Sequence, residues 1–209
     1  MIAADPAVTV HLRSTAPARL FPRAPGRVFV DPLETDVGMV QPHGLGLDLD
    51  ATLARLDDFE SSSGARLESE TRWLESIGAA LVVGDIPPLA FAAADAASIP
   101  SFALGNFSWD WIYASYTDDH RRFAEHAENA RARYRQAERL LRLPFHGDMS
   151  AFRAVTDVPL IAHRVAESRI EARRMLGLPE DRPLVLLSFG GFGFPGLAVD
   201  RLGVASEIE

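Results

Sequence analysis

The sequence predicts an α/β protein built on a mostly parallel, Rossmann-like β-sheet. Two observations lead to this fold class. Short runs rich in Val, Leu and Phe alternate with longer stretches in which apolar residues recur every three or four positions, which is the pattern of strands connected by helices. Pro and Gly residues bound most of these runs, so each is a separate element. Such alternation favours right-handed crossovers and hence parallel strand pairs.

The N-terminal part of the chain passes from extended to helical patterns. Residues 8–13 and 27–31 are predicted strands, because short segments rich in β-branched residues lie between Pro and Gly. The segment 32–50 is predicted to be irregular, since Pro and Gly recur throughout it. Apolar residues at helical spacing predict a helix over 51–77, interrupted at the "SSSG" of 61–64.

The middle of the chain alternates most regularly. Residues 80–84 and 101–105 are predicted strands, and they flank an Ala-rich helix over 87–98. This helix opens with Pro, whose missing N–H is harmless in a first turn. Residues 116–139 are predicted to form an Arg-rich helix with one solvated face. Two further extended runs are predicted at 139–144 and 158–164.

A capped helix precedes the last apolar run. Ser168 with Glu171 three residues later predicts a capping box, and Gly177 predicts the end of the helix. The run that begins at Pro183 then ends in the glycine-rich loop "SFGGFG", whose backbone N–H groups are open to a phosphate.

Three parts follow from this order of elements. We expect a Rossmann-like domain over 1–155, a connector over 156–182, and the beginning of a second Rossmann-like domain over 183–209. The opening "MIAADP" is typical of the last turn of a helix, and few residues follow the glycine-rich loop. We therefore expect the first domain to lack its first strand and the second domain to be truncated.

Composition excludes several classes of function. The 209 residues carry a net charge of −8 and a pI near 5.3, which argues against a nucleic-acid or anionic membrane partner. All 21 basic residues are Arg and there is no Cys, which excludes lysine Schiff bases, a phosphate-loop lysine, thiolate catalysis and cysteine metal sites. No apolar run approaches the ~20 residues of a membrane helix, and no signal-peptide pattern opens the chain. We expect a cytoplasmic protein without an integral membrane segment.

Polar residues directly follow two of the predicted strands. Asp85 follows the run 80–84, and Asn106 follows the run 101–105. Because ligands of open α/β sheets bind at the carboxyl ends of the strands, we expect both side chains to face one crevice, with Ser108–Asp110 beside them. Two roles are open for Asp85: a base or hydroxyl ligand, or the N-cap of the helix that follows. Capping is also open for Asp110.

Aromatic residues and histidines give weaker signals. Trp109, Trp111 and Tyr113 are crowded together, and such rings either stack on sugar faces or pack in a core. None of the six His residues shows the spacing of metal ligands, and we expect no metal site. His43, in the glycine-rich "QPHGLGLD", is the candidate among them for ligand contact.

A resemblance to a known group is carried by three segments, "ALVVGDIPPLAFAAADAASIPSFALGNFSWDWIYASY", "RLPFHGDMSAFRAVTDVPLIAHR" and "SRIEARRMLGLPEDRPLVLLSFGG". They are similar to the glycosyltransferase-like region of predicted bacterial glycosyltransferases and of the N-terminal part of plant L-arabinokinases. The resemblance covers about residues 8–193, and "NFSWDWIY" is its most specific block. It implies the GT-B fold, in which an acceptor-side and a donor-side Rossmann-like domain face each other.

The resemblance implies transfer of a sugar from a nucleotide-sugar donor to an unknown acceptor, without a cofactor or a metal. Asp85 is then the candidate catalytic residue. The candidate acceptor-binding residues are Asn106, Ser108, Trp109, Asp110 and His43, and the candidate donor-phosphate-binding residues are Gly190, Gly191 and Gly193. The family's Gly/His-rich loop, where a catalytic base would be sought, has no counterpart here, so we expect this chain alone to be inactive. Kinase activity of the plant proteins belongs to a separate domain and is not implied. The alternative is a non-catalytic sugar- or nucleotide-binding module.

Overall fold

The computed structural model describes residues 5–21, 23–162 and 166–186. Within these ranges the chain is an α/β protein with six β-strands and six α-helices, which confirms the predicted fold class. The chain divides between two compact units. The first takes up the chain to Gly38 and from Asp50 to Pro159, and the second takes up Met39–Leu49 and the chain from Leu160. The predicted domain boundaries at 155 and 182 stay predictions.

All described strands of the first unit pair in parallel. A small sheet contains two strands, and a large sheet contains four strands that lie side by side in chain order. The small sheet consists of β1 (Val10–Arg13) and β2 (Val28–Asp31), and the large sheet of β3 (Val82–Gly84), β4 (Ser101–Gly105), β5 (Arg139–Arg142) and β6 (Val155–Asp157). The strands predicted over 8–13, 27–31, 80–84, 101–105 and 139–144 are thereby confirmed.

The helices begin and end where local chemistry changes. They are α1 (Leu49–Ser61), α2 (Ser63–Ser76), α3 (Pro88–Ala96), α4 (Trp109–Ala114), α5 (Phe123–Tyr134) and α6 (Arg169–Met175), with a short 3₁₀-helix at Ala18–Leu20. The predicted break between α1 and α2 is confirmed, since Ser62 separates them. Pro88 lies in the first turn of α3, as predicted.

The helix predicted over 116–139 is shorter in the structure. Turns precede α5, because Thr and Asp residues at 117–119 favour turns over a helix interior. After α5, the backbone N–H of Glu138 donates to the carbonyl of Ser101 at 3.0 Å. This bond draws the chain into the ladder between β4 and β5, so the helix cannot continue.

The core lies on one face of the large sheet. Phe91 of α3, Tyr134 of α5 and Leu140 of β5 are completely buried, and Phe152 packs against them. The Phe91 ring lies 5.9 Å from the Tyr134 ring and 6.3 Å from the Phe152 ring. Burial of each such side chain contributes about 1.5–3 kcal/mol, so this cluster fixes both helices against β4 and β5.

The extended run predicted over 158–164 forms no strand in its described part, residues 158–162. The strand before it is β6, which ends at Asp157, and residues 163–165 lie outside the described residues. β6 is an exposed edge strand of three residues, and Val155 is its one apolar residue, so the strand gave no apolar pattern. The guanidinium of Arg142 donates to Asp157 Oδ1 at 2.6 Å and to Oδ2 at 3.1 Å, and that of Arg139 donates to Thr156 Oγ1 at 2.8 Å.

The second unit contains the predicted capped helix. The Ser168 hydroxyl accepts from the Glu171 N–H at 3.3 Å, and the Glu171 carboxylate accepts from the Ser168 N–H at 2.8 Å, which confirms the capping box at the start of α6. Gly177 ends the helix with φ = +64°, a conformation that Gly adopts without strain. Residues 183–186 form no strand, and the rest of the predicted final run lies outside the described residues.

Candidate functional site

The carboxyl ends of β3 and β4 lie next to each other in the large sheet. Val82 is in register with Ser101, and Gly84 with Ala103. Asp85 directly follows β3, and Asn106 directly follows β4. The predicted placement of these two side chains at the carboxyl ends of adjacent parallel strands is therefore confirmed.

The turn after β3 holds a strained residue. Ile86 has φ = +57°, a left-handed conformation that is a genuine outlier for a β-branched side chain. Its side chain is 2% exposed, so the turn carries Ile86 into the core while Asp85 stays at the surface. Such strain persists only where the surroundings over-determine it, and it clusters at functional sites.

Glycine at the end of each strand makes room for this turn. A Cβ atom on Gly105 would lie 2.8 Å from Cγ2 of Ile86, and one on Gly84 would lie 2.9 Å from the Phe91 ring. Both distances are closer than packed carbon atoms approach each other. A glycine before each polar residue is thus a steric requirement of this edge of the sheet.

Tyr134 connects the turn after β3 to the segment after β4. Its hydroxyl donates to the carbonyl of Ile86 at 2.8 Å and accepts from the backbone N–H of Trp109 at 3.2 Å. Tyr134 is completely buried, and burial raises the pKa of its hydroxyl well above its ordinary value. The hydroxyl therefore stays protonated and holds the two loops together.

Asp85 is an exposed residue whose carboxylate has no hydrogen bond or ion pair among the described residues. It does not cap α3, because the N-cap position is Pro87 and no side chain bonds there. The capping interpretation was therefore wrong. Partial burial of the carboxyl raises its pKa, which makes it a stronger base than a fully solvated aspartate. Asn106 is half-buried, and its side-chain amide likewise has no hydrogen-bond partner among the described residues.

Ser108 and Asp110 point into the protein. Ser108 is completely buried, and its hydroxyl lies 3.5 Å from the carbonyl of Asp148. Asp110 is 2% exposed and accepts from Arg131 Nε at 3.2 Å, while its other oxygen has no partner among the described residues. Asp110 lies inside the first turn of α4 and Ser108 holds the N-cap position, so the prediction that Asp110 caps this helix was wrong.

The Trp109 ring is half-buried among aromatic neighbours. It stacks on Tyr113 with ring centroids 5.8 Å apart and meets Phe107 edge-on at 5.2 Å. Its indole Nε1 donates to Asp36 Oδ2 at 2.7 Å. Acceptor binding by Ser108, Trp109 and Asp110 stays a prediction, and all three have partners within the fold.

Asp36 is the residue of this region that the sequence analysis missed. Burial raises the pKa of its carboxyl, the indole hydrogen bond from Trp109 opposes this rise, and the negative charge of Asp85 adds to it. The available signal was an acidic residue shortly after the predicted strand 27–31. The Pro and Gly residues of the segment 32–50 concealed it, because they indicated only an irregular loop.

The remaining predicted site residues are His43 and three glycines of the glycine-rich loop. His43 belongs to the second unit, where its ring packs on Gly46 and its Nδ1 is buried without a partner among the described residues. Gly190, Gly191 and Gly193 lie outside the described residues. The roles predicted for these four residues stay predictions.

Comparison with known proteins points to one region of a plant protein. The chain is 40% identical over 191 residues to L-arabinokinase from Arabidopsis thaliana, an alignment that covers 87% of this chain and 18% of that protein. The chain is therefore similar to one part of a plant L-arabinokinase. No protein-family model matches the chain, and no solved structure matches it. The chain spans less than a fifth of the length of its relative.

A second concave region of the described surface is lined by polar groups. A cleft of about 390 Å³ lies at the opposite, amino edge of the large sheet. Two groups that line it are paired with each other, since Gln136 Nε2 donates to Asp95 Oδ2 at 3.3 Å. Among the described residues, no group of three His, Asp or Glu side chains could hold a metal ion. No helix in those same ranges is both long and apolar enough to cross a membrane.

Proposed function

We propose that this chain is the acceptor-side region of a GT-B glycosyltransferase-like protein, and that it binds a sugar at the carboxyl ends of β3 and β4. One observation carries the proposal. Asp85 and Asn106 are unpaired polar side chains at the ends of adjacent parallel strands, where open α/β sheets bind their ligands. The strained turn at Ile86 marks the same place.

At this edge of the sheet, Asp85 can act as a general base and the Asn106 amide can form hydrogen bonds with a ligand. The carboxylate of Asp85 would accept the proton of an acceptor hydroxyl, whose oxygen attacks the anomeric carbon of the donor sugar. The bond from that carbon to the nucleoside diphosphate breaks, and the diphosphate leaves with the bonding electrons. The raised pKa of Asp85 favours proton acceptance, and the Asn106 amide would hold a second hydroxyl.

The buried neighbours would position this pair. Tyr134 bonds both loops, and the Asp110–Arg131 pair holds α4 against α5. In this proposal Ser108, Trp109 and Asp110 support the site from within the fold. The nucleotide-sugar donor would meet backbone N–H groups near Gly190, Gly191 and Gly193, with no metal required.

Binding by the chain itself tests the proposal. Wild-type protein is titrated by calorimetry and by saturation-transfer NMR with L-arabinose, D-galactose, N-acetylglucosamine, and UDP-, GDP- and dTDP-sugars. We expect one class of sugar to bind, and Asp85→Ala and Asn106→Ala to weaken its binding about tenfold each, the effect of losing one hydrogen bond worth about 1.4 kcal/mol.

Asp95→Ala, at the amino edge of the sheet, is the matched control and should bind as the wild type does. Equal affinity for the wild type and both carboxyl-edge variants would contradict the proposal. Release of nucleoside diphosphate by this chain alone would contradict the expectation that it is inactive by itself.

Sugar phosphorylation is a second candidate, favoured by the name of the relative, L-arabinokinase. In that reaction Asp85 would take the proton of a sugar hydroxyl that attacks the γ-phosphate of ATP, and ADP would leave. A coupled assay for ADP in the presence of ATP, Mg²⁺ and L-arabinose separates the two candidates. ADP formation that depends on L-arabinose and is lost in Asp85→Asn would favour phosphorylation over glycosyl transfer.

A further inference from the structure

The loop after β5 presents an aromatic side chain at the carboxyl edge of the large sheet. Phe145 is 88% exposed and has φ = +60°. Single exposed apolar residues are normal in proteins, and exposure alone indicates nothing. A bulky residue in the left-handed region is unusual, because its Cβ crowds the following carbonyl.

The loop is fixed beside Asn106. The backbone N–H of Leu143 donates to the carbonyl of Gly105 at 3.0 Å, and that of Gly147 donates to the carbonyl of Asn106 at 2.9 Å. Phe145 lies midway between these two anchors. The backbone of Phe145 is therefore held in the loop that bonds to the backbone of Gly105 and Asn106.

Two further contacts hold the far side of the loop. Gly147 lies so close to Trp111 that a Cβ there would be 2.5 Å from the indole ring. Asp148 accepts from the N–H and the hydroxyl of Ser150 at 3.0 and 2.9 Å. The loop thus holds Phe145 in a fixed position while its ring makes no aromatic contact among the described residues.

We propose that Phe145 is a ligand-contacting residue that stacks its ring on the apolar face of a sugar held by Asp85 and Asn106. This inference rests on the proposed function. The position would favour Asn or Gly on conformational grounds, and the exposed ring gains nothing from burial in this chain. A flat ring beside hydroxyl ligands is complementary to a pyranose, whose C–H groups form one apolar face while its hydroxyls point outward.

Replacement of Phe145 by Asn separates folding from binding. Asn tolerates the left-handed conformation, so Phe145→Asn should raise Tm by about 2–4 °C, the shift that a small gain in stability produces in a chain of this size. The same change removes the ring, and we expect affinity for the bound monosaccharide to fall about five- to tenfold. Phe145→Trp keeps a ring and should keep the wild-type affinity.

Ser98 provides the matched control. It has φ = +57° and is exposed at the amino edge of the sheet. Ser98→Asn should also raise Tm, and it should leave sugar affinity unchanged. Each variant is measured by calorimetric unfolding and by titration with L-arabinose, D-galactose and N-acetylglucosamine.

The outcomes distinguish failure of this inference from failure of the proposed function on which it rests. If the wild type binds a sugar and Phe145→Asn binds it equally well, the inference is overturned and the proposed site stands. A lower Tm for Phe145→Asn would show that the ring supports the fold, and this also overturns the inference. If the wild type binds none of these three sugars and none of the UDP-, GDP- and dTDP-sugars, the proposed function fails, and the inference fails with it.

Discussion

The segments that follow β3 and β4 begin with the same sequence pattern, but they place an aspartate side chain in opposite environments. Each strand ends in a glycine followed by a polar residue, which is Asp85 after β3 and Asn106 after β4, and the second segment places Asp110 in the first turn of α4. Asp85 is exposed without a partner among the described residues, whereas Asp110 is 2% exposed and paired with Arg131. What differs is whether a cation on another element lies within reach.

Removal of that cation should give the largest effect. In Arg131→Met the buried Asp110 carboxylate loses its only partner among the described residues, and we expect the free energy of unfolding to fall by about 3–5 kcal/mol at pH 7. Urea denaturation measures this loss. Asp110→Asn added to Arg131→Met removes the unpaired charge and should recover most of the stability, which a double-mutant cycle quantifies.

The matched control for this experiment is Arg135→Met. Arg135 pairs with Glu128 at 3.5 Å on the protein surface, and exposed pairs contribute less than about 1 kcal/mol. Asp85→Asn should also change stability by no more than about 0.5 kcal/mol, as surface substitutions do. If Asp85→Asn were as damaging as Arg131→Met, the contrast between the two segments would be mistaken.

The bridge between the two segments should have an intermediate effect. Tyr134→Phe leaves the carbonyl of Ile86 and the N–H of Trp109 without their shared hydroxyl, and such buried unpaired groups cost about 1–3 kcal/mol. Thermal and urea unfolding measure the cost. Tyr116→Phe is the control, because no hydrogen bond joins the Tyr116 hydroxyl to another described residue. Equal stability of the two variants would show that the bridge contributes nothing.

The smallest effect concerns Asp36, which receives the Trp109 indole beside the proposed site. Burial raises the pKa of Asp36 in the folded protein above its ordinary 3.8. At a pH between these two pKa values, the folded state therefore keeps a proton that the unfolded chain has lost. The stabilisation from this group is fully present below pH 3.8 and is lost as the pH rises through the folded-state pKa. Asp36→Asn should therefore be more stable than the wild type at pH 7, with an advantage that shrinks towards pH 4.

The control for the pH series is Asp58→Asn, which removes the same charge from an exposed position on α1. Both variants are compared with the wild type by urea denaturation between pH 4 and 7. The interpretation of Asp36 fails if Asp36→Asn and Asp58→Asn give the same pH profile.

Elements with an apolar pattern of their own could be predicted from the sequence. β3, β4 and the interrupted helix pair α1 and α2 lie where local periodicity placed them, because burial of one face selects those residues. β6 was missed, since its one apolar residue, Val155, is exposed, and Arg–Asp and Arg–Thr contacts link the strand to β5. The local pattern of apolar residues predicts which residues are buried, but it does not predict pairs of side chains that are distant in the chain.

The same limit decides which residues of the candidate site could be placed from the sequence. Asp85 and Asn106 could be placed correctly, because their positions follow from parallel pairing of neighbouring strands. The burial of Asp110 and the location of Asp36 depend on Arg131 and Trp109, which are distant in the chain. No spacing rule links such partners, so only the assembled fold reveals them.

The parallel pairing of every described strand also bears on how the chain folds. None of the pairs can form as a local hairpin, because each needs a crossover before its first hydrogen bond. Loop closure must therefore precede ladder formation, which slows folding relative to sheets built from hairpins. β3 and β4 are joined by a connection over residues 85–100, which is much shorter than the connection over 106–138 that joins β4 to β5. The β3–β4 edge that carries Asp85 and Asn106 therefore needs a smaller loop closure than the β4–β5 pair does.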